Sequence, residues 1–271
     1  MGASVGSFLN VVAYRVPLGR SVVRPGSACP NCQTPIAWYD NLPVVSWFVL
    51  RGKCRSCATR FSIRYAAIEA FFGVYTLAII VRWDISLHAL TCIAVGAVLV
   101  AIALIDHDHW LIDDRMTAAV AGLGLVGNVA RLVVDEALPL SEALLSSATH
   151  LAAGLLAFAM LWSVGRVMGK ALDKEALGAG DGPLFGAIVC ATGFHGLLPV
   201  LMLASVQGLL GWAVLAKRGG IGNRDVEHED GWEPEAGALP LGIFLSLAGL
   251  EVLLIGEGLT DAYLNALRGL L

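Results

Sequence analysis

Four cysteines form the clearest chemical pattern in the sequence. They make two Cys-x-x-Cys pairs, Cys29 with Cys32 and Cys54 with Cys57. Two such pairs at this spacing are typical of a four-thiolate zinc site. Four thiolates complete a tetrahedron and leave no position for a reactive water, so we expect a structural zinc ion rather than a catalytic one. Two disulfides or four free thiols are the alternatives.

Aspartates at the borders of apolar segments are the second pattern. Asp106 ends one long apolar run, and Gly178-Ala179-Gly180-Asp181 precedes another. Ionisable groups at a membrane boundary are costly and favour a functional interpretation. Two carboxyl groups brought together at low dielectric share a proton, so the pair can deprotonate a water and protonate a leaving group. This is aspartic-protease chemistry, and simple helix capping is the alternative.

A second metal site near Asp106 is a further alternative. His107 and His109 alternate there with Asp106 and Asp108. Residues two apart do not face each other on a helix, so we favour the carboxyl pair.

The composition indicates what must position these residues. Hydrophobic residues make up 57% of the 271 residues and charged ones 15%, whereas soluble domains have about 45–50% and about 25%. A soluble globular protein is therefore excluded, and the chain must lie in a lipid bilayer. The net charge of −4 offers no basic surface, so nucleic acid is not expected as a partner.

The pattern predicts an all-α polytopic membrane protein of about eight transmembrane helices, with a small cytoplasmic zinc-binding module between the first two. We divide it into a first transmembrane segment at 1–16, a four-cysteine zinc module at 17–65 and a transmembrane domain at 66–271. The first segment is short for a full crossing, so we expect it to be either tilted in a thinned bilayer or truncated upstream. One long uncharged run is broken at Gly193–Gly196 and Pro199, so we expect two short helices there. The predicted spans are 1–14, 66–81, 87–105, 116–130, 143–165, two within 182–216, and 236–256.

The distribution of basic residues predicts the orientation. With the N-terminus outside, only Arg82, Arg131 and Arg268 of the 18 Lys and Arg lie outside. This asymmetry satisfies the positive-inside rule. We therefore expect a multi-pass membrane protein, with the cysteine module and the aspartates on the cytoplasmic side.

Several motifs, in order along nearly the whole chain, resemble the type IV prepilin peptidases, which are polytopic aspartyl proteases of the Gly-x-Gly-Asp class. The chain begins with a stretch similar to that family's first-helix motif, and the cysteine pairs and the two aspartate motifs follow. The matching stretches are Gly6-Ser7-Phe8-Leu9-Asn10, the four cysteines, Gly52-Lys53-Cys54, Leu104-Ile105-Asp106 and Gly178-Ala179-Gly180-Asp181.

The resemblance implies a set of roles. Asp106 and Asp181 would be the catalytic pair, with Asp114, Gly178 and Gly180 in support. The substrate would be a prepilin or pseudopilin precursor with a basic leader and an apolar helix, cleaved after a glycine. Many members then methylate the new N-terminus with S-adenosylmethionine, and the family links a glycine matching Gly52 to that step.

The chain departs from the family pattern at two positions. Asp113 stands where the family usually has proline. The family also usually has a lysine two residues after the catalytic aspartate of the glycine motif, and this chain has Pro183 there, in the stretch Gly182-Pro183-Leu184. A catalytically inactive scaffold that docks pilin-like partners is therefore a second interpretation, and an ion-coupled transporter is a third. The sequence does not give the oligomeric state.

Overall fold

The computed structural model describes residues 1–173, 177–215 and 239–270, and this part of the chain is helical with two isolated β-bridges. The predicted cytoplasmic charges Lys174, Lys217, Arg218 and Arg224 lie outside the described residues. The helices are α1 (Gly2–Arg15), α2 (Val45–Val49), α3 (Ile63–Trp83), α4 (Leu87–His109), α5 (Asp114–Ala130), α6 (Leu140–Leu172), α7 (Asp181–Thr192), α8 (Leu197–Leu215) and α9 (Leu241–Leu270).

Five helical segments are long and apolar enough to cross a membrane, judged by length and composition. They correspond to α3, α4, α5 with the turn that follows it, α6, and α8 with the turn before it. Two shorter apolar helices, α7 and the first half of α9, accompany them. The prediction of an all-α polytopic membrane protein is confirmed.

Local signals in the sequence account for several helix ends. The Ser86 side chain accepts a hydrogen bond from the Ala89 amide at the start of α4, and Asp113 caps α5 in the same way. Gly193, with φ of 75°, ends α7 in a conformation that only glycine adopts easily. A single 3-10 turn, Phe194–Gly196, then leads into α8, so the predicted break is confirmed.

The chain forms two compact units, Met1–Arg82 and Trp83–Leu271. In the first unit α1 lies close to α3, and a Cβ at Gly6 would come within 2.8 Å of the Glu69 Cα. The side-chain amide of Asn10 also donates to the Tyr65 carbonyl at 3.4 Å. Small residues and interhelical hydrogen bonds of this kind are the usual means by which membrane helices associate.

In the second unit the short helix α7 is central. It packs against α5, α6 and α9, and most of its residues are buried. The contact with α6 is close because glycines face each other: a Cβ at Gly186 would lie 2.9 Å from the Gly154 carbonyl. Asp181 is the first residue of this buried helix, so its carboxyl group begins inside the helix bundle.

Candidate functional site

The four cysteines of the first unit converge on one point. Their sulfur atoms all lie within 4.8 Å of one another, and the Cys29–Cys57 and Cys32–Cys54 Sγ distances are 3.7 and 3.9 Å. The sulfurs of a tetrahedral four-thiolate zinc centre lie about 3.8 Å apart, because each Zn–S bond is about 2.3 Å. All four thiols are free. The disulfide alternative is therefore wrong for this structure, and the cluster can hold a metal ion.

The two cysteine pairs fold in the same way. The Cys29 amide donates to the Thr34 carbonyl at 3.0 Å, and the Cys54 amide donates to the Thr59 carbonyl at 2.8 Å. In each loop the residue after the second cysteine has a positive φ of 58°. Each threonine hydroxyl also contacts the second sulfur of its own loop, at 3.3 and 3.2 Å. The module is thus built from two copies of one metal-binding turn.

An ion pair braces the second turn. Arg55 donates two hydrogen bonds to the Asp40 carboxylate, at 2.7 and 2.6 Å. This guanidinium lowers the pKa of Asp40 below its ordinary value. Arg55 also lies 5.7 Å from the centre of the Tyr39 ring. The contacts connect the loop that carries Cys54 to the segment between the two cysteine pairs.

Gly52 occupies a position that only glycine fits. Its φ is +64°, and a Cβ there would lie 2.9 Å from the indole of Trp47. Its amide donates to the Trp47 carbonyl at 2.8 Å, and its own carbonyl accepts from the Phe61 amide at 2.7 Å. Gly52 thus joins α2 to the second cysteine turn.

In the second unit, Asp106 lies in the last turn of α4 and is only 4% exposed. Its Oδ2 accepts a hydrogen bond at 3.0 Å from the backbone amide of Ile243, in the first turn of α9. The helix ends shortly afterwards, where Trp110 adopts a left-handed conformation. This carboxyl group therefore sits where the end of α4 meets the beginning of α9.

Asp181 is 6% exposed and is held by its own motif. The Gly178 amide donates to its Oδ2 at 2.9 Å, and Gly180 precedes α7 with ordinary right-handed dihedrals. Gly180 is instead required for close packing, because a Cβ there would lie 2.7 Å from the Cβ of Ile112. A glycine is therefore needed here because Ile112 lies so close, and not because the backbone adopts a special conformation.

The fold brings the two carboxyl groups into one place. Asp106 and Asp181 are close enough for a direct electrostatic interaction. The side chain of Ile112 connects their surroundings, since it contacts Gly180 on one side and Gly242 on the other. The Gly178 amide donates to Asp181 Oδ2 and the Ile243 amide to Asp106 Oδ2, and the Gly242 amide is a second backbone donor to the Asp106 carboxyl group.

The other acidic and histidine residues at this end have different surroundings. The Asp113 side chain accepts from the Arg115 and Met116 amides at 2.7 and 3.2 Å, so it replaces the expected proline with a helix cap. Asp114 is exposed at the first position of α5. His107 pairs with Asp108 at 2.9 Å. Among the described residues, the four cysteines are the one group with metal-ligand geometry.

Sequence reasoning missed two groups of residues. Gly242 and Ile243 lie next to Asp106 although they belong to a helix far along the chain. The sequence signal for the start of that helix is the Pro-Leu-Gly stretch that follows a polar segment. In addition, three histidines that are scattered in the sequence line one cavity of about 130 Å³ in the second unit: His88, His150 and His195. Nothing in their spacing indicates that they come together.

Comparisons with known proteins agree with this arrangement. Residues 1–83 match the model of the bacterial peptidase A24 N-terminal domain, and residues 93–213 match that of the type IV leader peptidase family. A prepilin leader peptidase/N-methyltransferase of Myxococcus xanthus is 33% identical, over 96% of this chain and 90% of its own length.

Two further relatives align over a similar extent. A type 4 prepilin-like proteins leader peptide-processing enzyme of Escherichia coli is 33% identical, over 93% of this chain and 90% of its own length. A prepilin leader peptidase/N-methyltransferase of Xanthomonas campestris is 30% identical, over 98% and 92%. No solved structure matches the chain.

Proposed function

The chain belongs to the type IV leader peptidase family and is a membrane-embedded peptidase, and we propose that it cleaves prepilin-like precursors with Asp106 and Asp181 as its catalytic pair. The observation that carries the proposal is the meeting of these two carboxyl groups. Both are almost fully buried, yet both lie at helix ends on the same side of the second unit.

The proposed chemistry needs one water molecule between the two carboxyl groups. One carboxylate takes a proton from the water as general base, and the protonated partner stabilises the developing oxyanion and assists the departing amine. The backbone amides on the two Oδ2 atoms orient the carboxyl groups. No covalent intermediate forms.

We propose that Gly178 and Gly180 support this geometry in different ways. Gly178 supplies an amide donor, and Gly180 leaves room for Ile112. Asp114 would act in support from the exposed start of α5, where a carboxylate also suits the positive end of the helix dipole.

The proposed substrate is a prepilin or pseudopilin precursor with a basic leader and an apolar helix. The apolar helix would lie among the membrane helices while the leader remains in the cytoplasm, so the bond after a glycine reaches the membrane boundary. This places the enzyme in the bacterial inner membrane with its catalytic pair on the cytoplasmic side, as the distribution of Lys and Arg favours.

In the first unit, we propose that Cys29, Cys32, Cys54 and Cys57 hold a structural zinc ion. The sulfur spacing fits such a centre, and four thiolates leave no open coordination position. A module of this size buries little apolar core, so metal binding would supply much of its folding free energy. We propose the same division of the chain that the sequence predicts, with 1–16 as a first membrane segment, 17–65 as the zinc module and 66–271 as the peptidase domain.

Methylation of the new N-terminus is the second proposed step. The names of the Myxococcus and Xanthomonas relatives include this activity, and S-adenosylmethionine would supply the methyl group. Gly52 is enclosed by Trp47 and the second cysteine turn. We therefore propose that Gly52 affects methylation indirectly, by maintaining the fold of that turn.

Co-expression with a precursor tests the proposed function. Cleavage should increase the mobility of the precursor on a gel, and mass spectrometry of the product should find an N-terminus directly after the leader glycine, with an added methyl group if the second step occurs. A scaffold or a transporter would leave the precursor intact, and that result would contradict the proposal.

A further inference from the structure

We propose that the first turn of α9 is a third component of the catalytic site and that Gly242 and Ile243 are positioning residues for Asp106. This inference rests on the proposed function, because it assigns a role relative to the catalytic pair. The two residues belong to a different helix from either aspartate and lie outside both aspartate motifs.

The position of Asp106 on α4 creates an electrostatic problem. A carboxylate in the last turn of a helix lies at the negative end of the helix dipole, where the carbonyl groups lack partners. Asp106 is also almost fully buried, so bulk solvent does not stabilise its charge at that position. A donor from elsewhere in the protein is therefore required when the carboxyl group is ionised.

The beginning of α9 supplies that donor. The first amides of a helix have no partner within the helix, and they lie at the positive end of its dipole. The Ile243 amide, which is one of these first amides, donates a hydrogen bond to Asp106 Oδ2 at 3.0 Å. Asp181 needs no such help, because it begins α7 and receives an amide from Gly178 in its own motif. The two carboxyl groups are thus held by different means.

Gly242 makes the approach of α9 possible. A Cβ at this position would lie 2.6 Å from Asp106 Oδ2 and 2.9 Å from Ile112 Cδ1. Both distances are shorter than van der Waals contact, so a side chain would either displace the carboxyl group or move α9 and its Ile243 amide away from Asp106. Ile112 also packs on Gly180, which precedes Asp181. A displacement of Ile112 would therefore disturb the surroundings of both Asp106 and Asp181.

A single methyl group tests the inference. In reconstituted full-length enzyme with a prepilin precursor, Gly242→Ala should lower kcat by about 100-fold, the cost of an ångström-scale misplacement, and change KM less than about threefold. Gly122→Ala is the matched control, since a Cβ there meets nothing within 4 Å.

Replacing the Ile243 amide by an ester through unnatural-residue incorporation tests the donor itself. This change removes one N–H and leaves every side chain in place. We expect kcat to fall by about 10²-fold with KM retained, and the result decides the matter even if Gly242→Ala fails to fold. An unchanged kcat in the ester variant would overturn the inference. Normal cleavage by Asp106→Asn would instead contradict the proposed catalytic pair, so the two failures are distinguishable.

Discussion

At the scale of single residues, glycine serves three different purposes in this protein. Gly52 provides a left-handed backbone, Gly178 an accessible amide, and Gly180 the space for Ile112. The sequence shows all three as motif glycines without distinguishing them. Their roles depend on the neighbouring atoms, which nearby residues provide for Gly52 and Gly178 and the distant Ile112 provides for Gly180.

Gly52→Ala should destabilise the first unit. A left-handed conformation costs a residue with a Cβ about 1–2 kcal/mol, and the new methyl group would also press on Trp47. We expect a lower unfolding midpoint and faster loss of metal to a chelator, measured by thermal denaturation and metal analysis. Gly26→Ala is the control because that position has open space and no positive φ. Equal behaviour of the two variants would contradict the structural role of Gly52.

At the scale of helices and loops, the cysteine module gains its order from two similar turns around one centre. Each turn satisfies its own backbone hydrogen bonds, but the turns meet mainly through sulfur atoms and the contact of Asn31 with Thr59 at 2.9 Å. Without a metal ion, four thiols at these distances would provide little attraction between the turns. The stability of the module should therefore depend on the ion.

Removing one thiolate tests this dependence. Purified protein should contain about one zinc ion per chain, and Cys29→Ser or Cys54→Ser should lose it and expose the module to limited proteolysis. Cys190→Ser should keep the zinc, since Cys190 lies in α7 of the other unit. Full stability of metal-free protein would argue against a structural role for zinc.

The sequence predicts helices and cysteine geometry well because their causes are local. Apolar runs identify the spans, Gly193 marks the break before α8, and the Cys-x-x-Cys spacing predicts convergence on one ion. The contact of Ile243 with Asp106 could not be predicted, since it depends on how α9 packs against α4. The same holds for the cavity lined by three histidines.

At the scale of the whole molecule, the account requires a defined orientation in the membrane. The loops after α4 and before α7 adjoin Asp106 and Asp181, the proposed catalytic pair, and both loops should lie in the cytoplasm. The short connections after α3 and after α5 should then lie outside. The positions of Lys and Arg support this orientation.

Alkaline phosphatase fusions test the orientation, since this reporter is active only outside the cytoplasm. Fusions after Ile85 and Ala137 should be active, and a fusion after Ile112 should be inactive. A green fluorescent protein series at the same positions is the control and should give the opposite pattern. An active phosphatase after Ile112 would place the aspartates on the wrong side.

The most direct test of the central claim is the cleavage rate of aspartate-to-asparagine variants in reconstituted membranes. Asp106→Asn and Asp181→Asn should each lower the rate by at least about 10²–10⁴-fold, because each removes one partner of the acid–base pair. Asp113→Asn is the matched control, as asparagine caps a helix as well as aspartate does. Cleavage at the normal rate by either of the first two variants would contradict the account.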